Sequence, residues 1–334
     1  MSFLGSEAQV RIKDSPLLKL RELIEWNKVV KEMGTLGRSG YGPTGYDPLK
    51  LLKALILQAW HSLSDVGLEE ALRVRLDFML FTGFEQDVPD ATTLCRFRNL
   101  LTKRHLWEKV LRSINTSLED KGLKVTASQG AILDATIIES AARPRKSLRA
   151  LVEDRNEEED KETLNVTVLP EAHHSVDPDA RWLKKGKKSF YGYKGFAVVD
   201  GKQGYIDHIR VKPANASEVR SMEEVIKGMP KTKRLYGDKG YASQANREHL
   251  RGQKIKNGLM YKASRGHELS PRQKKFNRLV SGIRYRVEQC FGTLKRRFRF
   301  TRASYLTEVK VEAQMTIKAI SFNLLKAYRQ AYCV

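Results

Sequence analysis

Three carboxylates in this 334-residue chain sit where carboxylates are seldom placed without a task. Asp134 interrupts the apolar run AILDATII, Asp238 stands between glycines in YGDKGY, and Glu288 is the lone acid of a strongly basic stretch. An Asp inside a buried run is a poor strand former, and it is costly unless it holds a cation or a strong donor. The plain alternative is an Asp that caps a loop at a strand end. The glycines beside Asp238 let backbone approach closely, and α/β sheets place functional groups at strand ends. Read at about 100° per residue, the segment 281–298 is a helix with an apolar stripe of Val287, Phe291, Leu294 and Phe298. Arg284, Glu288 and Lys295 share the arc at the edge of that stripe, and Gly292 leaves space one turn beyond Glu288. Eleven Lys and Arg lie between Arg272 and Arg302 against Glu288 alone. The competing reading is a solvated basic helix in which Glu288 merely pairs with Arg284 and Lys295.

Carboxylates on separate elements of a polycation suit phosphodiester chemistry. Two hard divalent cations about 3.5–4 Å apart can clamp a phosphate, one activating the attacking oxygen and the other the leaving oxygen. Mg²⁺ takes carboxylate oxygens, waters and substrate phosphate, so few protein ligands are needed. A trio drawn from 39 acidic residues is weak evidence. Its placement on two strands and one amphipathic helix narrows the choice.

The net charge of +22 points to a polyanionic partner, and nucleic acid is the usual one. Anionic membrane is the rival, but no apolar run reaches the length of a span and no signal-type pattern opens the chain. Cys95, Cys290 and Cys333 are scattered without a CxxC pair, which predicts neither disulfides nor a zinc site. A reduced, cytoplasmic protein that engages no membrane is expected.

The elements that must position the carboxylates form two expected domains. Residues 1–127 read as a helical domain: Leu17–Met33, then Leu49–His61 opened by Asp47-Pro48, a helix from Ser64 toward Phe78, Ala91–Thr102, and His105–Lys121. The short link Ser62–Ser64 resembles the turn of a helix-turn-helix. Either Ser64–Arg75 or Ala91–Arg104 is expected to enter a groove, with Arg96 and Arg98 exposed to contact DNA. The alternative is a packing or dimerisation domain. Residues 128–330 read as mixed α/β (α+β overall). A buried strand carries Asp134, and a hairpin turns at Asp200-Gly201. A helix with Glu218, Glu223 and Glu224 follows, then a strand ending at Asp238, a helix, a last strand and the helix with Glu288. A charged mobile insertion is expected at about 143–186, with acids crowding 153–162. His173-His174 has no further ligand at useful spacing.

Taken together, these motifs resemble those of a bacterial DDE transposase, most similar to the insertion-sequence-five family. YDPLKLLKALILQAWHSLSD and PDATTLCRFRNLL resemble that family's N-terminal domain. ILDATIIES carries the first Asp, YGYKGFAVVD and GYIDHIRVKPANASE resemble the central strands, and YGDKGY carries the second Asp. Arg284, Glu288 and Lys295 stand in the register of the family's Tyr-x2-Arg-x3-Glu-x6-Lys signature, with Ser281 in place of Tyr. The resemblance implies an RNase H-like catalytic domain that cuts at the terminal inverted repeats of an insertion sequence and joins the freed 3′-OH groups to target DNA. It implies Asp134, Asp238 and Glu288 as catalytic residues and ligands of two Mg²⁺ ions, with Mn²⁺ substituting. Arg284 and Lys295 would contact phosphates, and Arg286, Arg296, Arg297 and Lys239 extend the expected contact set. The expected partner is double-stranded DNA, and a homodimer or larger assembly is expected on DNA. The rival functions are an RNase H-like nuclease without strand transfer and a domesticated DNA-binding protein that has lost activity. Lys239-Gly240-Tyr241 follows the second Asp where some hairpin-forming relatives place a Trp, so no hairpin step is inferred.

Overall fold

The computed structural model describes residues 15–34, 45–125, 130–142, 177–264 and 266–332, with 12, 36, 150–151 and 167–168 besides. The acidic run 153–162 and His173-His174 lie outside the described residues.

The N-terminal helices begin and end at local signals. The stretch expected as one helix over Leu17–Met33 is two, α1 (Pro16–Leu23) and α2 (Trp26–Met33), because buried Ile24 adopts an extended conformation between them. Asp47 accepts from the Leu49 amide at 2.8 Å, and Pro48 takes the first position of α3 (Pro48–His61). Ser62 turns the chain in the left-handed region at φ 55, and Ser64 caps α4 (Asp65–Val74) by accepting from the Gly67 amide. Arg75 is extended and divides α4 from α5 (Leu76–Thr82), where the sequence suggested one helix. α6 (Ala91–Lys103) is capped by Asp90, and α7 (Trp107–Asp120) completes the set.

His61 closes α3 against Phe78, ring centroids 5.0 Å apart, with its Nε2 buried and without a hydrogen-bond partner among the described residues. Burial first, then Arg75 and Arg297, pull its pKa down from 6.5 to about 4, while Asp77 opposes them. A depressed imidazole pKa means the fold prefers the neutral ring. Its contribution is therefore complete above pH 6.5 and is lost as pH falls toward 4. Denaturant titrations over that window should show the unfolding midpoint dropping in the wild type, and less steeply in His61→Phe.

The sheet comprises β1 (Ala131–Glu139), β2 (Arg181–Lys185), β3 (Lys188–Asp200), β4 (Ile206–Pro213), β5 (Arg234–Gly237) and β6 (Lys256–Leu259). Its order is β2-β3-β1-β5-β6, with β4 also on β3. β3 runs antiparallel to β1, β2 and β4, whereas β1, β5 and β6 are parallel. The sheet is mixed, as the sequence predicts. Arg181–Lys185 corrects one boundary: it is a strand paired to Lys188–Gly192, not the tail of the charged insertion. The alternating hydrophobic pattern is weak there, so backbone pairing and not side-chain burial holds β2.

Helices cover both faces. α8 (Glu218–Ile226) and α9 (Gln244–Gly252) bury Met222, Val225 and Leu250 against Leu133, Phe196 and Leu235. On the other face α10 (Pro271–Arg296) and α11 (Glu308–Tyr332) cover Ile132, Ile138, Tyr193 and Ala197. Gly195 permits that packing, since a Cβ there would lie 2.6 Å from the Met315 sulfur. α11 is buried on most sides. Val311, Met315 and Phe322 join the sheet core, while Ala313, Ile317, Ile320 and Leu324 join the core of α3 and α7. The last helix therefore packs into both expected domains. Among the described residues no helix is long and apolar enough to cross a membrane.

Candidate functional site

Strand register brings two of the three carboxylates together. β1 and β5 are parallel neighbours with Leu133 opposite Gly237, so the next residues, Asp134 and Asp238, emerge side by side. Adjacent strands lie about 4.8 Å apart, close enough for two carboxylates to repel strongly. Asp134 Oδ1 accepts from the Ala135 amide at 2.9 Å. Asp238 caps the turn Lys239–Tyr241 by accepting from the Lys239 amide.

Arg284 resolves the repulsion. It projects from α10 with Nη2 2.7 Å from Asp134 Oδ2 and Nη1 3.7 Å from Asp238 Oδ1. The side chains of Arg284 and Asp134 are only 13% and 15% exposed, against 35% for Asp238. Burial raises the Asp134 pKa and the Asp238 charge adds to it, while Arg284 and the Ala135 amide oppose the rise. Burial works against the guanidinium charge, but Asp134 above all, then Asp238 and Glu288, raise the pKa of Arg284. Its Nε–H is buried without an acceptor among the described residues.

Glu288 lies one turn further along α10 and is exposed. Its charge reaches Arg284, yet among the described residues no three His, Cys, Asp or Glu side chains come together closely enough to hold a metal ion. The arrangement still suits a hard cation. Asp134 and Asp238 converge on one positive group, and Mg²⁺ completes its shell with water and phosphate.

The apolar stripe behaves as the spacing predicts, with Val287, Phe291, Leu294 and Phe298 all buried. The space beside Gly292 is taken by the Arg296 guanidinium, 3.2 Å from where a Cβ would stand. Lys295 is half-buried, and burial and then Lys185 lower its pKa. Arg296 and Arg297 are exposed near the end of α10, although Arg297 also donates to the Trp60 carbonyl at 3.4 Å. Arg286 is half-buried and donates to the Lys202 carbonyl at 3.2 Å, beside the β3–β4 turn. Lys239 and Arg96 are exposed.

Arg98 contradicts its expected place. It is 7% exposed, ion-paired with Asp65 and stacked 4.9 Å from the Tyr305 ring, so it fastens α6 to α4 and cannot face DNA. The signal was present: Arg98 is four residues from buried Leu94, on the apolar face of α6.

Two further side chains belong to the site. Glu218, at the start of α8, pairs with Lys194 at 3.4 Å, and a Cβ at Gly240 would collide with its carboxylate. The second glycine of GDKGY therefore admits a fourth acid beside Asp238. Tyr241 is wholly buried, its hydroxyl unpartnered among the described residues, and burial followed by Asp134 and Glu218 raises its pKa well above 10. Sequence spacing singled out neither as a site residue, because both act across elements.

Comparison with known proteins agrees with this geometry. Residues 126–324 match the transposase DDE domain family and residues 6–100 match a second family described as a transposase domain. A transposase for insertion sequence element IS1106 from Neisseria meningitidis serogroup B is 40% identical over 232 residues, 70% of this chain and 76% of that protein. A piggyBac transposase synaptic complex with hairpin DNA aligns over 93% of this chain and 74% of its own, at 10% identity and a TM-score of 0.41. The Mos1 strand transfer complex aligns over 87% and 80%, at 12% identity and a TM-score of 0.19. The last two values are too low to bear on this chain. With a domain match across most of its length and a bacterial relative at 40% identity, the chain belongs to the DDE transposase family.

Proposed function

We propose that this transposase binds the terminal inverted repeats of an insertion sequence of the insertion-sequence-five type, cleaves at the element's ends and joins the 3′-OH groups to target DNA. The observation that carries the reading is the register-matched pair Asp134 and Asp238 converging on Arg284 in a chain of charge +22. Asp134, Asp238 and Glu288 are the residues to hold two Mg²⁺ ions, with Mn²⁺ able to replace them. Bound there, the ions supply activation of the attacking oxygen and stabilisation of the leaving one.

The chain's own groups do the rest. Arg284 holds the two aspartates in place through its Nη groups. Lys295 and Lys239 flank the carboxylates as phosphate contacts. In the N-terminal part, α6 exposes Thr92, Arg96, Asn99 and Lys103, whereas α4 exposes Val66, Glu70, Arg73 and Val74. The cationic and amide groups of α6 suit a DNA groove better. Joining two ends requires at least two copies in the active complex, acting on double-stranded DNA in the bacterial cytoplasm.

Pre-cut element ends incubated with a supercoiled target plasmid and Mg²⁺ test the joining step. Strand-transfer product is the expected result. Efficient cleavage of uncut ends with no joined product from pre-cut ends would leave a nuclease instead.

A further inference from the structure

β5 pairs with only Ala131–Leu133 of β1, and Arg302 meets β1 again only at Glu139. From Asp134 to Ile138, β1 has a strand partner on one edge only among the described residues. A cavity of about 560 Å³ borders Ala135, Thr136 and Ile137 of this segment and reaches across to β2 and β3. It begins one residue past the first aspartate. The edge spans about 16 Å at strand rise, on the order of five nucleotides of one DNA strand.

Three elements border this cleft with cationic residues. Lys184 and Lys185 come from β2, Lys194 from β3 and Lys295 from α10. The opposing acids are Glu139 and Glu218, and Glu218 already pairs with Lys194. Lys185 and Lys295 lie close enough for the first to disfavour the charge on the second. Holding like charges together on separate elements is unfavourable unless an anion is to be received between them. Leu183 and Phe190, cross-strand partners and both half-buried, give the cleft an apolar wall against which sugars can lie. A peptide strand could also add to a free edge, but it would not call for four lysines beside two aspartates.

We infer that this cleft binds the phosphodiester strand that continues from the scissile phosphate, with Lys184 and Lys185 of the β2 edge strand as phosphate contacts beside Lys295 and Lys194. The inference rests on the proposed DNA cleavage and joining. It adds Lys184, Lys185 and Lys194, which neither the carboxylate motif nor the basic helix contains.

Fluorescence anisotropy on a duplex carrying the inverted repeat that flanks the gene tests it across a salt series. Each phosphate contact contributes about 0.9 to the slope of log affinity against log salt. Lys184→Ala/Lys185→Ala should lower the slope by about 1.8, with an unchanged thermal midpoint because both side chains are exposed. Lys231→Ala/Lys233→Ala, at the opposite end of β5, should keep the wild-type slope; both of these are exposed too. A p-benzoylphenylalanine in place of Lys185 should cross-link to the cleaved strand within a few nucleotides of the scissile phosphate. A slope in the first double variant equal to the wild type's, an equal fall in the control pair, or a cross-link only to distant DNA overturns the cleft and leaves the proposed function standing. A wild-type protein that does not bind the end duplex at all overturns both.

Discussion

Asp134→Asn is expected to lose strand cleavage by on the order of a thousandfold or more, the equivalent of several kcal/mol of charge stabilisation at the reacting phosphate. The substitution keeps the size of the side chain and an oxygen able to accept from Arg284, so the geometry in which Nη2 lies 2.7 Å from that position has no steric reason to change. What disappears is the negative charge. Burial already raises the pKa of Asp134, so a neutral amide costs the fold little. Removing one anion from a chain of charge +22 should leave DNA affinity equal or slightly higher. Cleavage of an end duplex in Mg²⁺, anisotropy without metal and a thermal melt separate these effects. Asp238→Asn and Glu288→Gln should behave alike. Retained cleavage in any one of the three would remove that residue from the catalytic set.

Lys124→Met should give the largest loss of stability, about 3–5 kcal/mol at pH 8. Lys124 Nζ lies 3.0 Å from Asp207 Oδ1, and both side chains are only 1% exposed. Asn115 donates to the same carboxylate oxygen at 3.3 Å, while Oδ2 has no partner among the described residues. Burial lifts the pKa of Asp207 to about 6 against the pull of Lys124. At Lys124 burial is overcome by Asp207 and Glu119 together, and its pKa rises. The two directions are compatible because the ammonium has two carboxylates and Asp207 has one ammonium. Without the lysine, the carboxyl pKa climbs above its present value. An acid whose folded pKa is raised favours the folded state at low pH and loses that advantage as pH rises through it. The deficit of Lys124→Met should therefore be smaller at pH 5 than at pH 8, and Lys124→Met/Asp207→Asn should recover much of it. Denaturant midpoints at the two pH values are the measurement. A deficit independent of pH would show that lost packing, not the stranded carboxylate, is the cause. This pair joins the loop after α7 to β4, so its loss loosens the helical part from the sheet.

Local patterns carried much of the architecture. The apolar run around Asp134, the Asp200-Gly201 turn and the stripe on 281–298 each depend on neighbours within a few residues. In the structure the Asp200 carboxylate accepts from the Lys202 and Gly204 amides at 3.2 Å, a turn readable from composition alone. Where local signals compete with packing, the reading slips. Leu17–Met33 breaks at Ile24 because that side chain turns inward, and periodicity does not report a one-residue excursion. The boundary drawn at residue 127 separates segments that share α11, whose buried residues face two cores at once.

By itself the sequence determined most of the secondary elements, the basic character and which acids stand out against their neighbours, because period, capping and charge are properties of short stretches. Only the tertiary structure decided what those charges meet. Arg284 and Asp134 are 150 positions apart, and whether the arginine faces a phosphate or an aspartate depends on how α10 lies across β1. The pairing of Leu133 with Gly237 decided that the two aspartates adjoin, and the packing of α6 on α4 decided that Arg98 is interior. Glu288 shares a helical arc with Arg284 by arithmetic, yet stays in solvent while Arg284 takes the carboxylates. Burial and partner distance set the energy of a charge, and both are sums over the folded chain.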